Sequence, residues 1–160
     1  MAQKIAQATP PKGLTRWLFR LPIWFYRFGF GWVLGQRFVL INHVGRKSGK
    51  HHQTVVEVIK HEFETDTYYI VSGYGIQANW YRNLLNDPNV IIQVGRKKLE
   101  VRAVSISSPE GGAIMVDYAQ RHPVLAQRLM NFLGYQVNGA DEDYYAIGRD
   151  NLKFIAFFRR

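Results

Sequence analysis

Six short runs rich in branched and aromatic residues, mostly joined by tight turns, limit what this 160-residue chain can become. They cover residues 37–44 (RFVLINHV), 53–60 (QTVVEVIK), 67–72 (TYYIVS), 89–94 (NVIIQV), 98–105 (KLEVRAVS) and 153–158 (KFIAFF). Such side chains fit a pleated, half-buried surface. The fifth run alternates well, with Leu99, Val101 and Ala103 on one face and Glu100 and Arg102 on the other. Gly95, Arg96 and Lys97 make the tight turn before it. Helical patterns are inserted in two places, over 77–86 and from Pro109 to about Gly134 with an interruption at His122-Pro123. The pattern predicts a mainly β fold with α (α+β), a small six-stranded barrel rather than a parallel α/β sheet.

Three segments are expected. Residues 1–13 read as a mobile polar arm leading past Pro10-Pro11. Residues 14–36 form a basic, aromatic, amphipathic helical segment, and 37–160 form the barrel. Within 14–36 the spacing predicts a short helix, a break at Pro22 and a second helix with Pro22 in its first turn. Trp17, Leu18, Leu21, Trp24, Phe25 and Phe28 recur at helical spacing, with Arg16, Arg20 and Arg27 along one face. Such a helix lies on a membrane, covers a hydrophobic ligand groove, or packs on its own barrel with its arginines in water; the last is favoured. Arg20, Arg27 and Arg37 leave runs of six and nine residues between them, against the ~20 apolar residues a spanning helix needs. No secretory signal fits, so the expected location is cytoplasmic, with a peripheral place on the inner membrane face open to the basic helix.

Charge is distributed unevenly. Met1 to Val56 holds nine Lys or Arg and no Asp or Glu, so the net charge of +9 sits in the first third of the chain. An anionic partner is expected: a phosphate-bearing ligand, an acidic membrane or a nucleic acid. Nucleic acid is disfavoured because the aromatics gather in a helical stretch rather than along strands. With no cysteine there is neither a disulfide nor a thiolate site. The five histidines show no metal-ligand spacing, His51 and His52 read as a surface pair, and no serine lies in a nucleophile elbow. Asp141, Glu142 and Asp143 read as a solvated loop. Any redox chemistry must then come from a cofactor.

Three local features carry chemistry. In the turn Gly45-Arg46-Lys47-Ser48-Gly49-Lys50, two glycines permit positive φ while three cations and a hydroxyl surround exposed backbone N–H groups. That composition suits a phosphate or carboxylate, and it equally suits a charged hairpin turn that keeps a sheet edge soluble. Ser72-Gly73-Tyr74-Gly75 ends the third run before a helix, where a flat ligand can approach the backbone, or where an ordinary loop can sit. In the helix that follows, Trp80, Leu84 and Leu85 are expected to face the core, and Asn79, Tyr81 and Arg82 to look elsewhere. Asn79 and Asn83 lie four apart, within reach of a ligand.

Taken together, GRKSGK, SGYG…NWYRNLLNDPNVIIQVGRK and YAQRHP…LGY resemble the deazaflavin (F420)-dependent nitroreductase family of split β-barrel oxidoreductases, relatives of the FMN-binding barrel proteins. The resemblance covers Arg16 to about Tyr145. It implies a six-stranded, FMN-binding-like split barrel with N-terminal and inserted helices. It implies hydride transfer from a reduced deazaflavin, F420 (alternatively FMN), to an electron-poor quinone, enone or nitro compound. A non-catalytic carrier on the same barrel is the alternative.

By position, the resemblance implies that Arg46, Lys47, Ser48 and Gly49, with Lys50, His52, Gln53 and Thr54 beside them, hold the phosphate and acidic tail. Ser72, Gly73, Tyr74, Gly75, Asn79 and Trp80 are implied to line the ring pocket. Tyr74, Tyr81 and Tyr135 are the candidate proton donors. One departure stands out: His52 occupies a place where the family commonly carries arginine, replacing a permanent charge and a fork of donors with a group near half-charge at best. The expected partners are a lipophilic hydride acceptor, an anionic membrane surface and a second copy in a homodimer, with no metal.

Overall fold

The computed structural model describes residues 3–4 and 21–160. Strands β1 (Phe38–Val44), β2 (His51–Glu62), β3 (Thr67–Ser72), β4 (Asn89–Val94), β5 (Lys97–Ser105) and β6 (Lys153–Arg159) close into a barrel in the order β1-β2-β3-β6-β5-β4. Every ladder is antiparallel, and β4 returns to β1 with Ile41 opposite Ile92. The six strands lie where the branched and aromatic runs place them. Strand β2 runs past its expected bounds at both ends, to 12 residues. Val94 pairs directly with Lys97, so the β4–β5 turn is two residues, with Gly95 at the left-handed first position (φ 56°).

Alternation explains the barrel core. Leu99, Val101 and Ala103 of β5 point inward with Glu100 and Arg102 outside, and Val90, Ile92 and Val94 of β4 do the same. They meet Val39 and Ile41 of β1, Tyr68 and Ile70 of β3, and Ile155 and Phe157 of β6. Strands β3 and β6 are apolar on both faces because a helical layer covers their outer side. That layer contains α3 (Ser108–Arg121), α4 (Pro123–Phe132) and α5 (Asp141–Asp150), packing Met115, Tyr118, Met130 and Ile147 against Ile59 and Phe154. The expected break at His122-Pro123 separates α3 from α4. Helices α3 and α5 approach closely because glycines face each other: a Cβ on Gly148 would lie 2.8 Å from the carbonyl oxygen of Gly111.

At the other side, α1 (Leu21–Arg27) carries Pro22 in its first turn and packs on the outside of β1 and β2. Its contact face is Ile23 and Tyr26 against Leu40 and Val55, with the Tyr26 hydroxyl donating to the Phe38 carbonyl at 3.0 Å. Trp24, Phe25 and Phe28, which the spacing assigned to the apolar stripe, are exposed at 44%, 44% and 68%. A seven-residue helix buries one i, i+3 pair here, and the larger aromatics remain outside it. The expectations for Arg16, Trp17, Leu18 and Arg20 lie outside the described residues, as does the 1–13 arm apart from Gln3 and Lys4, which pair with Gln136 and Tyr135.

Two sequence expectations are corrected. Asp141, Glu142 and Asp143 are the first turn of α5, not a loop; carboxylates there complement the helix dipole. Asp143 is buried and accepts the Asn138 N–H at 3.5 Å. In α2 (Asn79–Asn86) the buried face is Tyr81, Asn83 and Leu84, continuing from Ala78. Trp80 sits half-buried at the rim and Leu85 is 52% exposed. Tyr81 faces inward because Ala78, Tyr81 and Leu84 repeat every three residues over the barrel mouth.

Candidate functional site

Helix α2 links the end of β3 to the start of β4, lying across the mouth of the barrel and packing on β1 and β5. The β1–β2 loop (residues 45–50) and the turn at residues 72–75 open at the same end. The structure thus brings the two glycine-containing segments together, with α2 between them.

The 45–50 loop is closed by its own backbone. Gly45 N–H donates to the Lys50 carbonyl and Gly49 N–H to the Gly45 carbonyl, each at 2.8 Å. Gly49 takes φ 66°, a conformation that side-chain-bearing residues rarely adopt. The Ser48 hydroxyl accepts the Lys50 N–H at 3.3 Å. At Gly45 a Cβ would lie 2.5 Å from Ser48 Oγ and 3.0 Å from His52 Nε2, so only glycine leaves the hydroxyl and the imidazole room to converge there.

Arg46 ties this loop to α2. Its main-chain N–H donates to Asn83 Oδ1 at 3.1 Å, and its Nη1 donates to the same oxygen at 3.0 Å and to Asn79 Oδ1 at 3.5 Å. No carboxylate among the described residues pairs with Arg46, Lys47 or Lys50. The cationic charge of the loop is therefore uncompensated within the described chain, while Lys47, Ser48, Gly49, Lys50 and His52 are exposed.

Beneath the loop lies a polar group that sequence reasoning missed. His43 is buried, on the inward face of β1 beyond Ile41. Since Asn83 Oδ1 receives Arg46, its Nδ2 faces His43 Nδ1 at 3.1 Å and makes that nitrogen an acceptor. His43 Nε2 then carries the proton and donates to Thr54 Oγ1 at 3.1 Å. Burial, and secondly the neighbouring His52 stacked at 5.7 Å, pushes the His43 pKa down to about 4, which keeps the ring neutral. The only sequence signal was the Asn79/Asn83 spacing; nothing local marks His43, whose partner is 40 residues away.

The remaining candidates divide. Ser72 Oγ donates to the Gly75 carbonyl at 2.8 Å and closes the 72–75 turn, and a Cβ on Gly73 would run into Leu133. Tyr74 is half-buried against the barrel core, and burial raises its phenol pKa. Asn79 opens α2 beside Arg46, and Trp80 stands edge-on to Tyr81. Tyr81 is only 2% exposed, its hydroxyl 3.1 Å from Oγ of the exposed Ser105 at the end of β5. Tyr135 belongs to the core of the helical layer, with Lys4 Nζ 5.7 Å from its ring centre. Gln53 projects from the opposite face of β2, where it accepts from Arg27 Nε at 2.9 Å and donates to Asn42 Oδ1 at 2.8 Å. A hollow of about 300 Å³ is lined by Asn42, His43, Val44, His51, Asp87 and Asn89 among others, so it borders the His43 side of the site.

The donor set at this end fits a group with an anionic tail: three cations with no carboxylate partner among the described residues, and an exposed hydroxyl. Comparison with known proteins bears on the family. Residues 19–130 match the family model described as F420H(2)-dependent quinone reductase. The Mycobacterium tuberculosis protein Rv3178, which carries the name of an F420H(2)-dependent quinone reductase, is 35% identical over 86 residues, covering 52% of this chain and 71% of that one. A solved F420-H2 dependent reductase, FDR-A, superposes with a TM-score of 0.50 at 19% identity over 77% of this chain and 95% of the other. A structure described as a domain-swapped dimer gives 0.53 at 20% identity over 91% and 99%. At those identities the two structures speak to the fold alone.

Proposed function

This chain belongs to the F420H(2)-dependent quinone reductase family, and from that premise we propose that its 45–50 loop and α2 form the seat of the F420 cofactor. The protein is an oxidoreductase, with F420 as cofactor and a quinone-type compound as acceptor. When bound, the reduced cofactor supplies the hydride. The carrying observation is the uncompensated cationic loop anchored through Arg46 to the helix that roofs the barrel. Arg46, Lys47 and Lys50 neutralise the phosphate and acidic tail, and Ser48 adds a hydroxyl. Ser72 to Gly75, Asn79 and Trp80 line the ring and hold it in one orientation against the barrel. Of the three tyrosines, Tyr74 alone is half-buried beside this mouth. Its phenol, protonated at neutral pH as any tyrosine is, can give a proton to the reduced acceptor.

Two partners extend the proposal. Exposed Trp24, Phe25, Phe28, Phe30, Trp32 and Val33 adjoin Arg27 and Arg96, whose guanidinium groups lie 5.3 Å from the Trp24 ring and 5.7 Å from the Trp32 ring. Aromatic and basic groups so mixed suit an anionic membrane surface, where a lipophilic quinone partitions. A cytoplasmic protein held peripherally at the inner face follows from that reading. No helix among the described residues is long and apolar enough to cross a membrane. A homodimer is the other proposed partner, supported by the domain-swapped relative and read by light scattering on the purified chain.

The test is a fluorescence titration of F420 against wild type, Arg46→Ala and Lys47→Ala, paired with reduced-F420 oxidation by a soluble quinone. Losing a charge-assisted bond from half-buried Arg46 is expected to raise the Kd by about tenfold or more. Exposed Lys47 is expected to cost only a few-fold. Wild-type affinity in both variants would move the seat elsewhere.

A further inference from the structure

The candidate anion loop is exposed on its outer side, yet the position of its arginine is decided from beneath. We propose that Asn83 is a positioning residue that fixes Arg46 for the cofactor's anionic tail, and that His43 and Thr54 fix Asn83 in turn. This rests on the reading of the 45–50 loop as the tail seat.

The geometry specifies each link. Asn83 Oδ1 holds Arg46 twice, at the main-chain N–H and at Nη1, so backbone and guanidinium are set by one atom. A flipped carboxamide would turn Nδ2 toward two donors and lose both bonds. What forbids the flip is His43, whose Nδ1 accepts from Nδ2. With Nδ1 accepting, the Nε2–H on the other side of the ring is taken by the Thr54 hydroxyl, which anchors the imidazole in that place. Asn83 and His43 are both buried, so the bond between them, the central link, is the one most shielded from competing water. The neutral imidazole imposed by burial is the form the chain of bonds requires. With Nη1 engaged inward, the rest of the guanidinium remains for a ligand. Asn79 touches the same Nη1 from the first turn of α2 and also accepts from Arg82 at 3.1 Å, so it steadies the group without determining it.

Asn83 thus acts through Arg46 rather than on the ligand, and a double-mutant cycle separates the two. F420 affinity is measured by fluorescence for wild type, Arg46→Ala, Asn83→Leu and the double variant, with Thr54→Val as a milder break that keeps side-chain shape. Asn83→Leu is expected to weaken F420 about tenfold in the wild-type background and not to weaken it further in Arg46→Ala. Thr54→Val is expected to act in the same direction by a smaller factor. In steady state the loss falls on the KM for reduced F420, while kcat and the quinone KM hold. Imidazole nitrogen NMR of the wild type is expected to show His43 Nδ1 unprotonated at pH 7. If Arg46→Ala binds F420 normally, the tail-seat reading falls and takes this proposal with it. If Arg46→Ala weakens binding while folded Asn83→Leu or Thr54→Val does not, the positioning proposal alone is overturned. Additive losses in the double variant, or a proton on Nδ1, overturn it as well.

Discussion

His43 sits where a strand would normally place another aliphatic residue, and its imidazole is bonded at both nitrogens. Its folded pKa of about 4 lies below the ordinary value of 6.5, so the unfolded chain takes up a proton first as pH falls. The stability it contributes is complete above pH 6.5 and is lost progressively toward pH 4, by roughly 2–3 kcal/mol. Urea unfolding at pH 7.5 and pH 4.5 should show that loss, and His43→Gln should reduce it. Asp66 does not confuse the window. Its carboxyl is held below the usual range by bonds to Lys97 and His61, so it acts only at lower pH. Little of this was legible from residues alone. Arg46 could be assigned to an anion site or to a soluble turn, and only the long-range bond to Asn83 shows how the loop is held. Gln53, grouped with the loop by sequence, faces away from it because successive strand residues alternate faces.

Among the elements, the strands were legible and the helix faces were not. Period-two alternation in β4 and β5 and the two-sided apolar runs of β3 and β6 depend on local pattern. Helix α2 offers apolar residues on more than one side, and the choice of Tyr81 over Leu85 is made by the barrel mouth below it. Helix α5 opens on three acidic residues and resembled a loop because its apolar contacts, Tyr144 and Ile147, are few. Its tight seat against α3 gives a prediction. A methyl group on Gly148 meets the Gly111 carbonyl and the Gly112 Cα, both backbone atoms that cannot swing aside. Gly148→Ala should therefore destabilise the chain by about 1–3 kcal/mol in urea unfolding, despite the higher helix propensity of alanine. An unchanged midpoint would mean that the two helices separate at no cost.

Across the whole molecule, the described cations of the first third include two separate groups. One is Arg46, Lys47 and Lys50 in the loop at the barrel mouth; the other is Arg27 beside the exposed aromatics of α1. If the second is a membrane surface, the protein should sediment with vesicles rich in anionic lipid, less so in high salt and hardly at all with neutral vesicles. Replacing Phe28 and Trp32 by serine should lower that partition while leaving F420 binding intact, and unchanged partition would exclude the aromatics from the contact. The barrel itself says little about chemistry, since one fold serves many functions. What these residues decide is narrower: we propose that the 45–50 loop holds the tail of the cofactor and not its ring. The most direct measurement compares F420 with the deazaflavin that lacks phosphate and acidic tail, titrated by fluorescence against wild type and Arg46→Ala. Wild type is expected to prefer F420, and Arg46→Ala to lose most of that preference while binding the tail-less compound as before. Equal weakening for both ligands, or no preference in the wild type, would contradict it.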